Sequence, residues 1–289
     1  MTGRAWALFA TVSLLWGVPY LFTGVALRDG LPPTTIVAAR VVLGGLVLLP
    51  LALPSGLVGL VRTRWRALAI LSAVQVVVPF LLIAVGQQTV SSALTGILIA
   101  TEPLFVVLLA RLSGTAPRLT PTARVGLVVG FLGVVTLLGL RGGGAGAGLV
   151  LTAAACYGLG ALLVDSRFPG VPNLVVAAAV LLLACPPLLA VALAGGPLPR
   201  ATAPALLAVL ALGVVCTGGG FCAYYALIEV AGPARATVTA YVAPVVAAVA
   251  GVLLLDEDVT ARSLVGVALI LLGAVAATRG PAVAGAVQP

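Results

Sequence analysis

Ten stretches of this chain are apolar over roughly the 20 residues that an α-helix needs to cross a hydrocarbon core. They follow one another from end to end, with expected limits at 6–27, 34–54, 66–86, 92–112, 122–140, 148–164, 173–194, 203–227, 234–255 and 262–279. Little remains for a water-facing shell. Charged residues make up 8% of the 289-residue chain, against about 25% in soluble domains, and mean hydropathy is +1.28. Barrel strands would alternate in polarity over about ten residues, and these runs do not. The expected fold is an all-α integral membrane protein of ten transmembrane helices. The first span follows a single Arg4, is long, and holds Trp16, Gly17 and Pro19 without a small-residue cleavage site, so it reads as a retained span rather than a signal peptide.

The breaks between spans carry turn and interface signals: "RDGLPP" from Arg28, "RTRWR" from Arg62, "SGTAPRLTP" from Ser113 and "GGPLPR" from Gly195. Arginine supplies all fifteen basic residues, and its distribution sets an orientation, because short cytoplasmic loops retain basic residues. With the N-terminus inside, the inner side collects Arg4, Arg62, Arg64, Arg66, Arg111, Arg118, Arg124, Arg167, Arg235 and Arg279. The outer side receives Arg28, Arg141, Arg200 and Arg262. An even span count returns the C-terminus to the cytoplasm, so a protein of the cytoplasmic membrane with both termini inside is expected. The net charge of +8 is then a topology signal. A nucleic-acid partner is not expected, since no basic, aromatic-rich soluble segment exists to carry one.

The chain also repeats itself. Shifted by 141 positions, Trp16-Gly17 falls on Tyr157-Gly158, Phe80 on Phe221, Ala93 on Ala234 and Pro103 on Pro244; after the fourth span a shift of 140 places Gly126 on Gly266 and Gly133 on Gly273. The expected domains are two repeats, 1–140 and 141–289, of five spans each. An odd number of spans makes the second copy enter the membrane upside down. Inverted repeats of this kind belong to secondary transporters with a midplane substrate site exposed alternately to either side.

Four segments carry a family resemblance: "LLWGVPYLFTGVAL" in the first span, "VAAR" in the second, "ATEPLFVVLLA" in the fourth and "YVAPVVAAVAGVLLLDEDVTARSLVGVALILLGAV" at the end. Over almost the whole chain these resemble the two EamA-type domains of the drug/metabolite transporter superfamily. The resemblance implies a ten-helix permease with a central cavity, in a family whose members often export amino acids or other small metabolites. Such repeats commonly carry Gly-Glu before their fifth helix. Glu257 occupies that place in the second repeat, while the first reads "SGTAPRLT" with no acid.

Candidate site residues follow from polar and aromatic side chains at mid-span. Glu102 stands among oil-like residues one position before Pro103, and a charged acid at mid-membrane costs about 2.5–3.5 kcal/mol on insertion scales. Its repeat equivalent is Ala243, so the acid is particular to one half. It either faces a cavity, to bind an amine or carry a proton, or hydrogen-bonds to a neighbouring helix. Arg40 is the only basic residue placed well inside a span rather than at its end; it either snorkels outward or faces Glu102 or a substrate carboxylate. Gln75 is a further polar candidate, whereas Gln87 and Gln88 read as interfacial. Trp16 and Tyr20, four apart, are expected to share a face of the first helix. Tyr157, Tyr224 and Tyr241 join them as rings that can stack on a substrate, Tyr225 stands beside Tyr224, and "CTGGGFCAYY" from Cys216 reads as close packing or a hinge.

Other signals are set aside. "GGGAGAG" at Gly142 to Gly148 fits a dinucleotide fingerprint loosely but reads as the linker between repeats, and "DEDVT" at Asp256 to Thr260 as a solvated outer turn. The four cysteines lie in apolar spans and read as small hydrophobes; with no histidine in the chain, neither a metal nor another cofactor is expected. A membrane enzyme acting on a lipid-linked substrate would need a catalytic constellation, and a passive channel a filter motif or a ring of like charges. Neither is visible, so a transporter rather than an enzyme is expected. Its partners are a small-molecule substrate, the lipid bilayer and the proton as a candidate coupling ion; a homo-oligomer is compatible with the sequence.

Overall fold

The computed structural model describes residues 2–114, 120–138, 144–196, 201–255, 257 and 260–278, without the side chains of 233 and 234. Arg118, Arg141, Arg200, Arg279, Asp256, Asp258 and Pro289, to which the sequence assigns sides or roles, lie outside the described residues. Among the described residues all regular structure is helical. Nine helices of the described residues are long and apolar enough to cross a membrane: α1 Gly3–Arg28, α2 Pro33–Ala52, α3 Leu57–Gly86, α4 Ser92–Leu112, α5 Pro121–Leu138, α6 Gly144–Arg167, α7 Asn173–Ala194, α8 Ala203–Ala231 and α10 Ala261–Thr278. The shorter α9, Thr239–Leu255, is preceded by one helical turn, Pro233–Ala236. The large apolar side chains left exposed, such as Leu207, Leu253 and Leu272, suit lipid rather than water.

Helix packing carries the signature of a two-fold relation between the halves. Three spans pack against their own repeat equivalents: α5 on α10, α2 on α7 and α4 on α9. Other large contacts are exchanged, α1 lying against α8 and α9 as α6 lies against α3 and α4. Reciprocity of this type, i on j′ and j on i′, is what a two-fold axis produces. The α5–α10 pair shows it at atomic scale. A Cβ on Gly126 would lie 2.7 Å from the Gly273 carbonyl oxygen, and one on Gly133 would lie 2.8 Å from that of Gly266. Equivalent glycines thus meet crosswise, and their lack of side chains lets the two backbones touch. With five spans in each half, the second is inverted relative to the first.

Several spans are interrupted. Pro19 and Pro103 offer no N–H and their rings crowd the preceding turn; α1 departs from regular geometry at Val18 (φ −84, ψ −8), and α4 breaks at Ala100–Thr101, just before Glu102. Pro244 behaves differently from Pro103, sitting inside α9 with the interruption earlier, between Ala236 and Thr239. Both third spans contain π-helical turns, Ala73–Val77 in α3 and Ala211–Gly219 in α8. The repeat offset carries the first of these inside the second. π-Turns inside α-helices often accompany functional sites.

Three loop assignments made from sequence are corrected. "RTRWR" is not a break: α3 is helical from Leu57 and kinks at Arg64 (φ −126, ψ 23), because a basic turn at the interface keeps its backbone bonds best satisfied as helix. The Gly-rich joint is helical from Gly144, where Gly146 packs against Gly86 of α3. Glu257 is not a solvated turn residue. Its Oε1 accepts from the Ser92 amide at 2.8 Å and its Oε2 from the Ala93 amide at 2.7 Å, so a carboxylate of the second repeat caps the N-terminus of α4 in the first, where the helix dipole favours an anion. The equivalent of Ser92 is Pro233, which has no N–H to offer. The acid and one of its two amide donors are therefore missing from the opposite end, where Ala234 stands for Ala93.

Candidate functional site

The polar candidates converge where α1, α2, α3, α4, α6 and α8 face one another. The Arg40 guanidinium turns inward rather than toward the interface. Its Nε donates to Thr217 Oγ1 at 2.9 Å, and its central carbon lies 4.2 Å from the centroid of the Phe80 ring, a cation–π distance. Thr217 is held ready for this, its hydroxyl donating to the Leu212 carbonyl at 2.7 Å across the π-helical turn of α8. The local departure from α-helix thereby positions the acceptor for the cation.

Glu102 opens the second half of α4, directly after the break. Its carboxylate makes no hydrogen bond or ion pair among the described residues, and the side chain is only partly buried. It does not pair with Arg40. The two charges instead share neighbours, since Tyr20 and Tyr157 each lie within the electrostatic reach of both Arg40 and Glu102, and Tyr224 within that of Glu102. The hydroxyls of Tyr20, Tyr157 and Tyr224 have no hydrogen-bond partner among the described residues, nor does the amide of Gln75, which lies against Gly160, one turn along α6 from Tyr157. Among the described residues the one buried side-chain polar atom without a partner is Gln87 Oε1, so these hydroxyls and the Gln75 amide keep accessible surface near two opposite charges, where a ligand can reach them.

Aromatic rings wall this set on two sides, related by the repeat. Phe80 meets Tyr157 edge-on at 6.4 Å, and their equivalents Phe221 and Trp16 meet edge-on at 6.1 Å. Trp16 also leans on Tyr224 at 4.6 Å, which contacts Tyr225 at 5.8 Å; Tyr225 in turn stacks on Phe221 at 6.2 Å. Such pairs add about 0.5–1.5 kcal/mol each beyond burial and hold the ring walls in place. Arg40 and Glu102 break this symmetry, their equivalents being Leu181 and Ala243.

Not every candidate joins the cluster. Trp16 and Tyr20 do not share a face: the break at Val18 turns Trp16 onto α8, while Tyr20 lies over Gly96 of α4. Tyr241 belongs to a separate packing group with Leu104, Val107 and Ala274, and its hydroxyl bonds Thr278 at 3.2 Å. Gln87, read as interfacial, is buried and donates to the Tyr20 carbonyl at 2.9 Å and to Ser92 Oγ at 3.3 Å, so it ties α3 to α1 and α4. Gln88 is exposed. Thr217, Phe80 and Phe221 escaped selection as site residues, although the two phenylalanines already stood out as equivalent positions. Among the described residues no three His, Cys, Asp or Glu side chains gather at metal-binding distance.

A duplicated set of apolar spans, closed around opposite charges and unpartnered polar groups, defines a multi-pass membrane transporter. Comparison with known proteins gives the family. The model of the EamA-like transporter family matches residues 3–139 and again 144–279, and the chain belongs to that family. An inner membrane transporter of Escherichia coli K12, YedA, is 30% identical over 290 residues, covering 95% of this chain and 90% of that one. A transporter of Archaeoglobus fulgidus is 26% identical over 281 residues, covering 93% and 97%. One solved crystal structure superposes with a TM-score of 0.67 at 25% identity over 96% of this chain and 97% of the other.

Proposed function

We propose that this protein is a secondary transporter of the cytoplasmic membrane that exports small metabolites bearing both an amine and a carboxylate, such as amino acids, by alternating access coupled to protons. The observation that carries the reading is Glu102, an acid inside the membrane with no partner among the described residues, sharing Tyr20 and Tyr157 with Arg40. A zwitterion brings a cation for Glu102 and an anion for Arg40. The phenols and the Gln75 amide supply donors and acceptors between them, and Trp16 and Tyr224 offer ring faces to an apolar side chain. Glu102 carries a proton when no amine occupies it, and the repeats 1–140 and 141–289 act as the two rocking halves. Coupling requires only that proton and substrate bind the two access states with different affinities.

Counterflow in proteoliposomes tests the class. Unlabelled amino acid trapped inside should accelerate entry of the labelled compound several-fold for at least one member of a panel, and no acceleration across the panel would reject a carrier of such zwitterions. Orientation is tested separately. Single cysteines at Arg64 and Glu257 should react with an impermeant maleimide from opposite sides, Arg64 only after the membrane is opened. Labelling of both from one side would refute the inverted repeat.

A further inference from the structure

The basic start of α3 forms a groove that shares no residue with the polar cluster of the candidate site. Arg62, Arg64, Trp65 and Arg66 are all exposed, and the kink at Arg64 sets them around a hollow of about 500 Å³ that Arg167 and Ile70 help to line. Arg64 Nη1 donates to the Arg167 carbonyl oxygen at 2.8 Å, which fastens the start of α3 to the end of α6 and brings in a fourth guanidinium. Among the described residues no carboxylate forms an ion pair with any of the four. Asp165, the acid nearest in sequence, is exposed and unpaired with them. Like charges this close lie within one Debye length, about 10 Å at 0.1 M salt, and repel. An anion seated among them would turn that repulsion into binding.

The hollow also has a direction. Trp65, 55% exposed, stands at its rim with Arg66 5.4 Å from the ring centroid, as an interfacial tryptophan does. Ile70, one helical turn beyond Arg66, is 57% exposed and presents an apolar surface toward the membrane interior. A free phosphate would use only the cationic rim. A molecule carrying a phosphate on an acyl chain would use both ends.

We propose that this groove binds an anionic phospholipid, with the phosphate held by Arg62, Arg66 and Arg167 and an acyl chain laid along Ile70. Basic pockets at helix ends are suited to such head groups, at about 1 kcal/mol per basic residue. Delipidated protein in detergent is titrated with phosphatidylglycerol or with phosphatidylcholine of the same chains, and bound lipid is counted by native mass spectrometry. Phosphatidylglycerol adducts should exceed phosphatidylcholine adducts by at least about tenfold at equal mole fraction. The preference should vanish in R62Q/R66Q/R167Q, persist in R28Q/R262Q, which removes charge elsewhere, and return in R62K/R66K/R167K. Arg64 is left intact because it fastens α6. Equal binding of the two lipids would overturn the proposal, as would an unchanged preference in the glutamine triple variant or an equal loss in R28Q/R262Q. Displacement of phosphatidylglycerol by millimolar inorganic phosphate would reassign the groove to a free anion and overturn it too.

Discussion

Glu102→Gln should weaken substrate binding by roughly 10- to 100-fold, through loss of the charged contact to the amine, and abolish accumulation driven by a pH gradient. Glutamine keeps the length of the side chain and its hydrogen-bonding capacity but fixes the neutral form. The site can then still receive a substrate whose other groups are satisfied by Arg40, the tyrosines and Gln75. It can no longer exchange a proton for an amine. Vesicles loaded with substrate are given an imposed pH gradient, and the accumulation ratio is compared with counterflow in its absence. The expected result is counterflow retained at saturating substrate with an accumulation ratio near one. Parental accumulation with parental pH dependence would make Glu102 a packed acid and place coupling elsewhere.

Arg40→Gln should act on affinity instead. The guanidinium is already oriented by Thr217 and Phe80, so a carboxylate reaching it meets a preformed donor rather than a mobile side chain. Hydrogen bonds to charged groups are worth about 1.5–3 kcal/mol, which corresponds to a rise in KM of roughly 10- to 100-fold at little change in maximal rate. Decarboxylated analogues of the substrate should be affected far less. If KM for the carboxylate and the analogue rose together, Arg40 would be holding α2 and α8 in place rather than contacting substrate. A fall in protein yield or thermal midpoint would accompany that outcome.

The spans, their order and the duplication were legible in the sequence because each rests on a signal that accumulates over many residues: hydropathy over twenty positions, or landmarks at a constant offset. The cluster was legible as a set of residue types, since Glu102, Arg40 and Gln75 are conspicuous against oil. Their geometry was not. Whether Arg40 snorkels or turns inward depends on Thr217 and Phe80, which lie on other helices. The π-turns that present Thr217 and Gln75 occupy a few residues each and leave no periodic trace. Trp16 and Tyr20 obey the four-residue spacing of a shared face, yet a break at Val18 separates them. Glu257 looked solvated because its partners are backbone amides, 165 and 164 positions away, and backbone donors have no residue signature. The one trace in the sequence was the absence of an acid after α4, where the second repeat has Glu257.

That one-sided cap makes the molecule a poor mirror of itself. Two identical inverted halves would give inward-open and outward-open states of equal free energy, because exchanging the conformations of the halves would convert one into the other. A carboxylate seated on two amides at one end, faced by Pro233 at the other, removes that degeneracy. Each 1.4 kcal/mol of difference makes one state about ten times as populated as the other. A ligand arriving at the less populated side then meets an apparent affinity weakened by the same fraction. On the alternating-access mechanism proposed above, the gradients still decide which way net flow runs, but the empty carrier presents its site unequally to the two sides.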